Sequence, residues 1–263
     1  MKTTHLDHLS ESIPSGRTLA RGSLFLLIFL LVVVIGTFLF LADGLFDLLI
    51  SLSWIQGTIV LLLAGYDRLI RPWHMRWRAT KREVSEELPG DELSDTHFFR
   101  STRAITIKAP VEDVWPWLVQ IGWKKGGFYS YSWLERLFGM QLHNANTIHD
   151  EWQGLDEGDE VWVAPDKYGD SAQLQVYTMT PEKTLVLATA VNGGWSFHLR
   201  SIDGTTTRLI TRFHLEPTSA WGQLFHYTTL EPIHFIMERG MLKGIKKRAE
   251  KRRKVKGKRL TRP

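Results

Sequence analysis

Three side chains in one short stretch could move a proton: His143, His149 and Asp150. An imidazole titrates near neutrality, and a neighbouring carboxylate can orient it, which is what general acid–base catalysis needs. They stand in the densest polar cluster of the chain, with Gln141, Asn144, Asn146 and Glu151, where no hydrophobic period is visible. Neighbours in a loop seldom point at one target, so a solvated surface loop accounts for the same residues. Other chemistries leave no trace. The chain has no cysteine, which removes disulfides, thiol nucleophiles and thiolate-held metals. There is no Gly-x-Ser-x-Gly elbow, no Walker loop and no dinucleotide fingerprint. The histidines lack metal-ligand spacing, so neither a metal nor a cofactor is expected. Nothing in the chain requires an enzyme.

The elements around this cluster follow from periodicity. Ala104 to Lys108 alternates Ile105 and Ile107 against Thr106 and Lys108, a strand with one buried face. Pro110 suits the first turn of a helix, and Glu112 and Asp113 suit its positive end. Pro116 interrupts that helix, at a cost of about 3 kcal/mol that packing must offset. Val114, Trp117, Leu118 and Ile121 share its inward face. Gly126 and Gly127 mark a turn, and a second short helix spans Trp133 to Phe138. Strands are expected over 160–163, 173–179, 184–190, 194–200 and 206–215, the last two joined across Asp203-Gly204. Glu231-Pro232 opens a long helix whose apolar residues Ile233, Met237, Met241 and Ile245 recur at four-residue spacing. Strands this close in sequence pair antiparallel, so the class is α+β.

Several pieces recur in a known superfamily. They are Leu88-Pro89-Gly90-Asp91, Arg103-Ala104-Ile105, Ala109-Pro110, Val114-Trp115-Pro116-Trp117-Leu118, Gly127-Phe128-Tyr129-Ser130-Tyr131, Gly158-Asp159 and Met237-Glu238-Arg239. Over about residues 75–250 the chain resembles the SRPBCC superfamily of START-like and polyketide cyclase/dehydrase-like proteins. It departs at Ser132, where relatives often carry an acid. The resemblance implies a helix-grip fold, an antiparallel sheet around a long C-terminal helix with an apolar cavity between them. The implied lining is Trp117, Tyr129, Tyr131, His143, Trp195, Phe197, Thr211, Phe213, Met237 and Met241. The aromatic residues would give apolar walls with polar tips, and the methionines an adaptable floor. Ordinary core packing explains the same side chains. The expected ligand is a hydrophobic or amphipathic small molecule, lipids included. A cyclase/dehydrase-type enzyme and an interaction protein with a filled cavity are the alternatives.

Two apolar runs precede this region. Ser23 to Ala42 is free of charge and long enough to span about 30 Å. A second run at about 45–65 is interrupted by Ser51, Ser53, Gln56 and Thr58. The expectation is a two-helix transmembrane hairpin at 23–66, after a cytoplasmic segment 1–22. A basic juxtamembrane segment and linker at 67–95, a START-like domain at 96–250 and a basic tail at 251–263 follow. Trp73 and Trp77 among Arg71, Arg76 and Arg78 read as a headgroup-level belt. Basic flanks place both termini and the domain on the cytoplasmic face of a multi-pass cell-membrane protein. Residues 243–263 hold twelve Lys/Arg and one acid, or +11, so the remaining chain carries +5 − 11 = −6. Anionic lipid is the expected partner of that tail. Nucleic acid, which charge runs also attract, is the lesser reading.

Overall fold

The computed structural model describes residues 28–37, 46–94, 99–137, 143–190, 193–216 and 219–260. The chain divides into two compact units, Met1–Leu69 and Ile70–Pro263.

In the first unit residues 28–37 form a helix, α1, and Phe46–Gly65 form α2. Among the described residues no helix is long and apolar enough to cross a membrane. This overturns the expected two-span hairpin, and with it the multi-pass cell-membrane localisation. The described part of the first run rises about 15 Å as a helix, half of a hydrocarbon core. In the second, Asp47, Gln56, Gly57 and Thr58 break the apolar character. Segment 1–22, the rest of the first run and residues 261–263 lie outside the described residues.

The second unit begins with α3 (Arg71–Met75) and α4 (Lys81–Ser85). Strand β1 (Ser101–Ile107) follows, then α5 (Val111–Val119) and α6 (Ser132–Leu137). Five more strands come next: β2 (Glu160–Trp162), β3 (Gln173–Thr180), β4 (Thr184–Thr189), β5 (Gly193–Ser201) and β6 (Thr207–Leu215). The chain ends in α7 (Ala220–Phe225) and the long α8 (Glu231–Leu260). The strands make one antiparallel sheet in the order β1-β6-β5-β4-β3-β2. The expected hairpin turn is present. Gly204 takes φ of +71°, which favours glycine, and Asp203 accepts from the Thr205 amide at 2.9 Å.

Register sorts the sheet into two faces. Arg103 stands opposite Thr211, and Thr211 opposite Phe197; Ser101, Phe213 and Trp195 form the next row. With Ile105, Ile107, Leu185, Leu187 and Leu209 this face turns toward α5 and α8, where Trp117, Leu118, Met241, Leu242 and Ile245 complete the core. The opposite face, with Ala104, Ile210 and Arg212, is covered by the chain before β1. Leu88 packs on Ala104 and Ile210. The buried Arg212 donates to the Glu83 and Glu86 carbonyls at 2.7 and 3.0 Å and pairs with Asp91. Gly90 takes φ of +98°, and a Cβ there would sit 2.8 Å from Val186 Cγ1. Residues expected to form a juxtamembrane segment and linker thus build one wall of this unit. Trp77, expected at headgroup level, is instead buried in the core.

The basic end of α8 is anchored over part of its length. Lys246 donates to the Thr106 carbonyl at 2.6 Å, and Arg253 to the Lys108 and Thr205 carbonyls at 2.9 and 3.0 Å. Asp113, on the first turn of α5, receives Arg252 at 3.3 Å and also Lys256.

Candidate functional site

The alternation that turns Ile105 and Ile107 inward turns Arg103 inward with them. On α8, Glu238 stands three residues before Met241 and seven before Ile245, on the stripe that packs against the sheet. The two side chains are each 1% exposed and form an ion pair. Arg103 Nε donates to the His74 carbonyl at 2.8 Å. Trp195 Nε1 donates to the other Glu238 oxygen at 2.9 Å. Burial pushes the Glu238 carboxyl up, but Arg103, His234 and its hydrogen bonds pull it further down, so the net shift is below the ordinary glutamate value.

His234 lies beside this pair, with Nδ1 3.3 Å from Arg103 Nη1. Burial, reinforced by Arg103, lowers its pKa to about 4 against the opposing pull of Glu238, so the ring is neutral at pH 7. Its face meets Phe213 at 4.2 Å, and Trp195 stands edge-on at 5.6 Å. Trp195 also stacks on Phe128 at 6.2 Å and tilts against Phe197 at 4.9 Å. Phe235 lies under the Arg103 guanidinium at 5.4 Å. One charged pair therefore sits within a ring of aromatic side chains, between the sheet and α8.

A second histidine–carboxylate contact adjoins it. His74 Nε2 is 3.6 Å from Glu231, the first residue of α8, and Arg71 donates to the same carboxylate at 2.9 and 3.1 Å. Burial, then Arg103 and Arg71, hold the His74 pKa near about 4.

The glycine loop after α5 brings in two more aromatic residues. Trp117 and Tyr129 meet edge to face at 5.6 Å, and Arg248 lies over the Tyr129 ring at 4.8 Å. Tyr129 takes a positive φ of 56°, its amide held by Asn144 Oδ1. Burial raises its phenol pKa above the ordinary value. Two glycines of α8 let this loop approach. A Cβ on Gly244 would fall 2.0 Å from the Tyr129 carbonyl oxygen, and one on Gly240 would fall 2.8 Å from the Tyr131 ring. Ser130 donates to the Met237 carbonyl at 2.9 Å, which places Tyr131 and Met237, both half-buried, at this junction.

The expected residues thus divide. Trp195, Phe197, Thr211 and Phe213 share the inner face of the sheet, with Met241 buried in the same core. Trp117 and Tyr129 pair beneath the loop, with Tyr131 and Met237 at its edge. The proposed acid–base trio does not converge. His143 and Asp150 are exposed. His149 contacts Glu151 at 3.2 Å and packs on Trp152 at 4.3 Å, rather than using Asp150. Within the cluster Asn144 secures backbone by accepting from the Tyr129 amide, and the loop itself is held from outside the cluster. Buried Gln120 donates to the Thr147 carbonyl at 3.1 Å and accepts from the His149 amide at 3.2 Å. Among the described residues no group of three or more His, Asp or Glu side chains is placed to hold a metal ion. Arg103, Glu238, His234, His74 and Glu231 have no place among the site residues expected from sequence, although Arg103 and Glu238 stand in the motifs that carry the resemblance. Their signal was available for Arg103 and Glu238, as charges in register with buried apolar neighbours.

No family model and no curated protein matches the sequence. Among solved structures the chain is similar to protein NE0264 from Nitrosomonas europaea, with 13% identity, a TM-score of 0.38, and coverage of 63% of this chain and 99% of that one. It is similar to CalC, a self-sacrificing resistance protein from Micromonospora echinospora, with 8% identity, a TM-score of 0.37, and coverage of 58% and 95%. It is also similar to the Polyketide_cyc-like protein Cgl2372 from Corynebacterium glutamicum, with 15% identity, a TM-score of 0.32, and coverage of 62% and 94%. Similarities of this size transfer neither a ligand nor a reaction. The chain's own six-stranded antiparallel sheet, packed against a long C-terminal helix, has the α+β helix-grip arrangement expected from the sequence.

Proposed function

We propose that the second unit binds a hydrophobic or amphipathic small molecule between the inner face of its sheet and α8. The observation that carries this reading is Trp195. It meets Phe128, Phe197, Phe213 and His234 while donating to the buried Glu238. An apolar wall with a few polar groups converging on one point is the usual make-up of a small-molecule site. The test is native mass spectrometry of the full chain, followed by denaturing extraction. The full chain is needed because His74, Met75 and Trp77 are buried, so a truncation after them would strip the interior. A reproducible small hydrophobe supports the reading. An empty, folded protein that takes up no added hydrophobe speaks for a filled core.

The His74–Glu231 contact at 3.6 Å, buried on both sides, favours a second reading as a cyclase/dehydrase-type enzyme. A neutral imidazole beside a carboxylate can accept a proton. In that case an extracted molecule returned to the protein is converted to a new species. His74→Gln then stops the conversion and leaves the molecule bound.

A further inference from the structure

We infer that the site selects a ligand whose polar end is an uncharged hydrogen-bond acceptor, a carbonyl-type oxygen, held by Arg103 Nη2 and His234 Nε2. This rests on the interior binding reading above and names what that interior recognises.

The inference is a count of donors. A guanidinium has five N–H groups and accepts nothing. In Arg103, Nε–H goes to the His74 carbonyl, and Nη1 serves Glu238 and His234. Since Arg103 only donates, His234 Nδ1 must be the acceptor, and the neutral ring then carries its proton on Nε2. Among the described residues neither Arg103 Nη2 nor His234 Nε2 has a partner, and both atoms are buried. Three N–H groups are therefore withdrawn from water with nothing to receive them, which costs stability until an acceptor arrives. Glu238 does not supply one: its oxygens take Arg103 Nη1 and Trp195 Nε1, and neither bonds to Arg103 Nη2 or His234 Nε2.

Charge narrows the acceptor. Glu238 already balances Arg103, and His234 is neutral at pH 7. A carboxylate would enter as a third, uncompensated charge and would lose its hydration without an opposite partner. An ammonium would meet only donors. A neutral oxygen brings two lone pairs and no charge. Phe213 and Trp195 flank His234 at 4.2 and 5.6 Å, so the ligand body next to that oxygen meets aromatic faces.

Four probes with one ring system test this. The full chain is titrated calorimetrically into acetonaphthone, naphthalene, naphthoate and naphthylmethylamine. The ketone is expected to bind about tenfold more tightly than naphthalene, the worth of a hydrogen bond to a buried donor. Naphthoate and the amine should bind more weakly than the ketone. His234→Phe keeps an aromatic ring but removes the Nε2 proton, so on that variant the ketone's advantage over naphthalene should shrink by most of its size. If the variant does not fold, the ranking of the four probes on the wild-type chain decides. Equal affinity for all four overturns the donor site and leaves the apolar interior standing. Tightest binding of naphthoate overturns the uncharged end. Binding of none of them, with nothing extracted from the native protein, overturns both readings.

Discussion

Glu238→Gln should be among the most damaging single substitutions in this chain, although it changes shape hardly at all. The glutamine oxygen can still accept from Trp195 Nε1, whose bond to Glu238 is 2.9 Å long. What is lost is the charge opposite Arg103, on a side chain that is 1% exposed. Removing one partner of a buried ion pair costs about 3 to 5 kcal/mol, because the other charge stays buried without compensation. In a domain of this size each kcal/mol moves the melting temperature by about 2 to 4 °C, so the expected fall is about 6 to 20 °C. Arg103→Met in the same background removes the stranded charge and should recover at least half of the loss. The double variant is then strongly non-additive with the two single ones. Circular dichroism during heating and urea titration reads both quantities. The pH dependence supplies an independent check. The folded Glu238 carboxyl titrates below its unfolded value, near 4.3. Its stabilisation is therefore present above that pH and is lost as pH falls toward the folded pKa. Wild type and Glu238→Gln should converge on acidification. A variant within about 0.5 kcal/mol of wild type, or an additive double variant, would refute the claim that Arg103 depends on this partner.

Acid should also act through histidine. His74, His198, His226 and His234 are each held near a pKa of about 4 by burial first of all, against about 6.5 unfolded. Between those values the unfolded chain binds more protons, so the urea midpoint should drop steadily from pH 7 to pH 4, and His198→Gln should flatten that slope. Gly244→Ala puts a Cβ 2.0 Å from the Tyr129 carbonyl oxygen, which is backbone and cannot swing aside. It should cost about 1 to 3 kcal/mol by chemical denaturation, whereas Gly57→Ala, with nothing within 4 Å, should cost nothing. His143→Ala and Asp150→Ala remove exposed side chains; each should leave stability within about 0.5 kcal/mol and leave acetonaphthone affinity unchanged.

How far the sequence could be read depends on which interactions are local. Alternation located β1 through Ile105 and Ile107, Asp203-Gly204 located the β5–β6 turn, and Pro110 with two acids located the start of α5. Each of these is a preference of a few adjacent residues, so it shows in the chain itself. Of the apolar runs near the N-terminus, the first is described only over 28–37 and the second is broken by Asp47, Gln56, Gly57 and Thr58, and among the described residues no helix is long and apolar enough to cross a membrane. The polar stretch around 143–151 misled for a different reason. The backbone of this irregular loop is held by Gln120 at the end of α5, and its own Asn144 holds the Tyr129 amide, so polar groups are needed here whether or not the loop does chemistry.

The site itself was legible in its parts and illegible as a pair. Arg103 has the parity of Ile105 and Ile107, and Glu238 has the spacing of Met241 and Ile245, so each is a charge in a row of buried apolar residues. Such residues are almost never fully buried unless paired, and that makes one of them an anomaly worth more than two histidines in a loop. No periodicity connects the two, because they are 135 residues apart and meet only when α8 closes on the sheet. Yet their signs are opposite, and they stand on the two elements that a helix-grip fold must press together. A buried cation on the first strand demands a buried anion somewhere on the surfaces that cover it. The covering helix carries Glu238 on its inward stripe, so the demand and its answer can both be read from spacing once the fold is assumed.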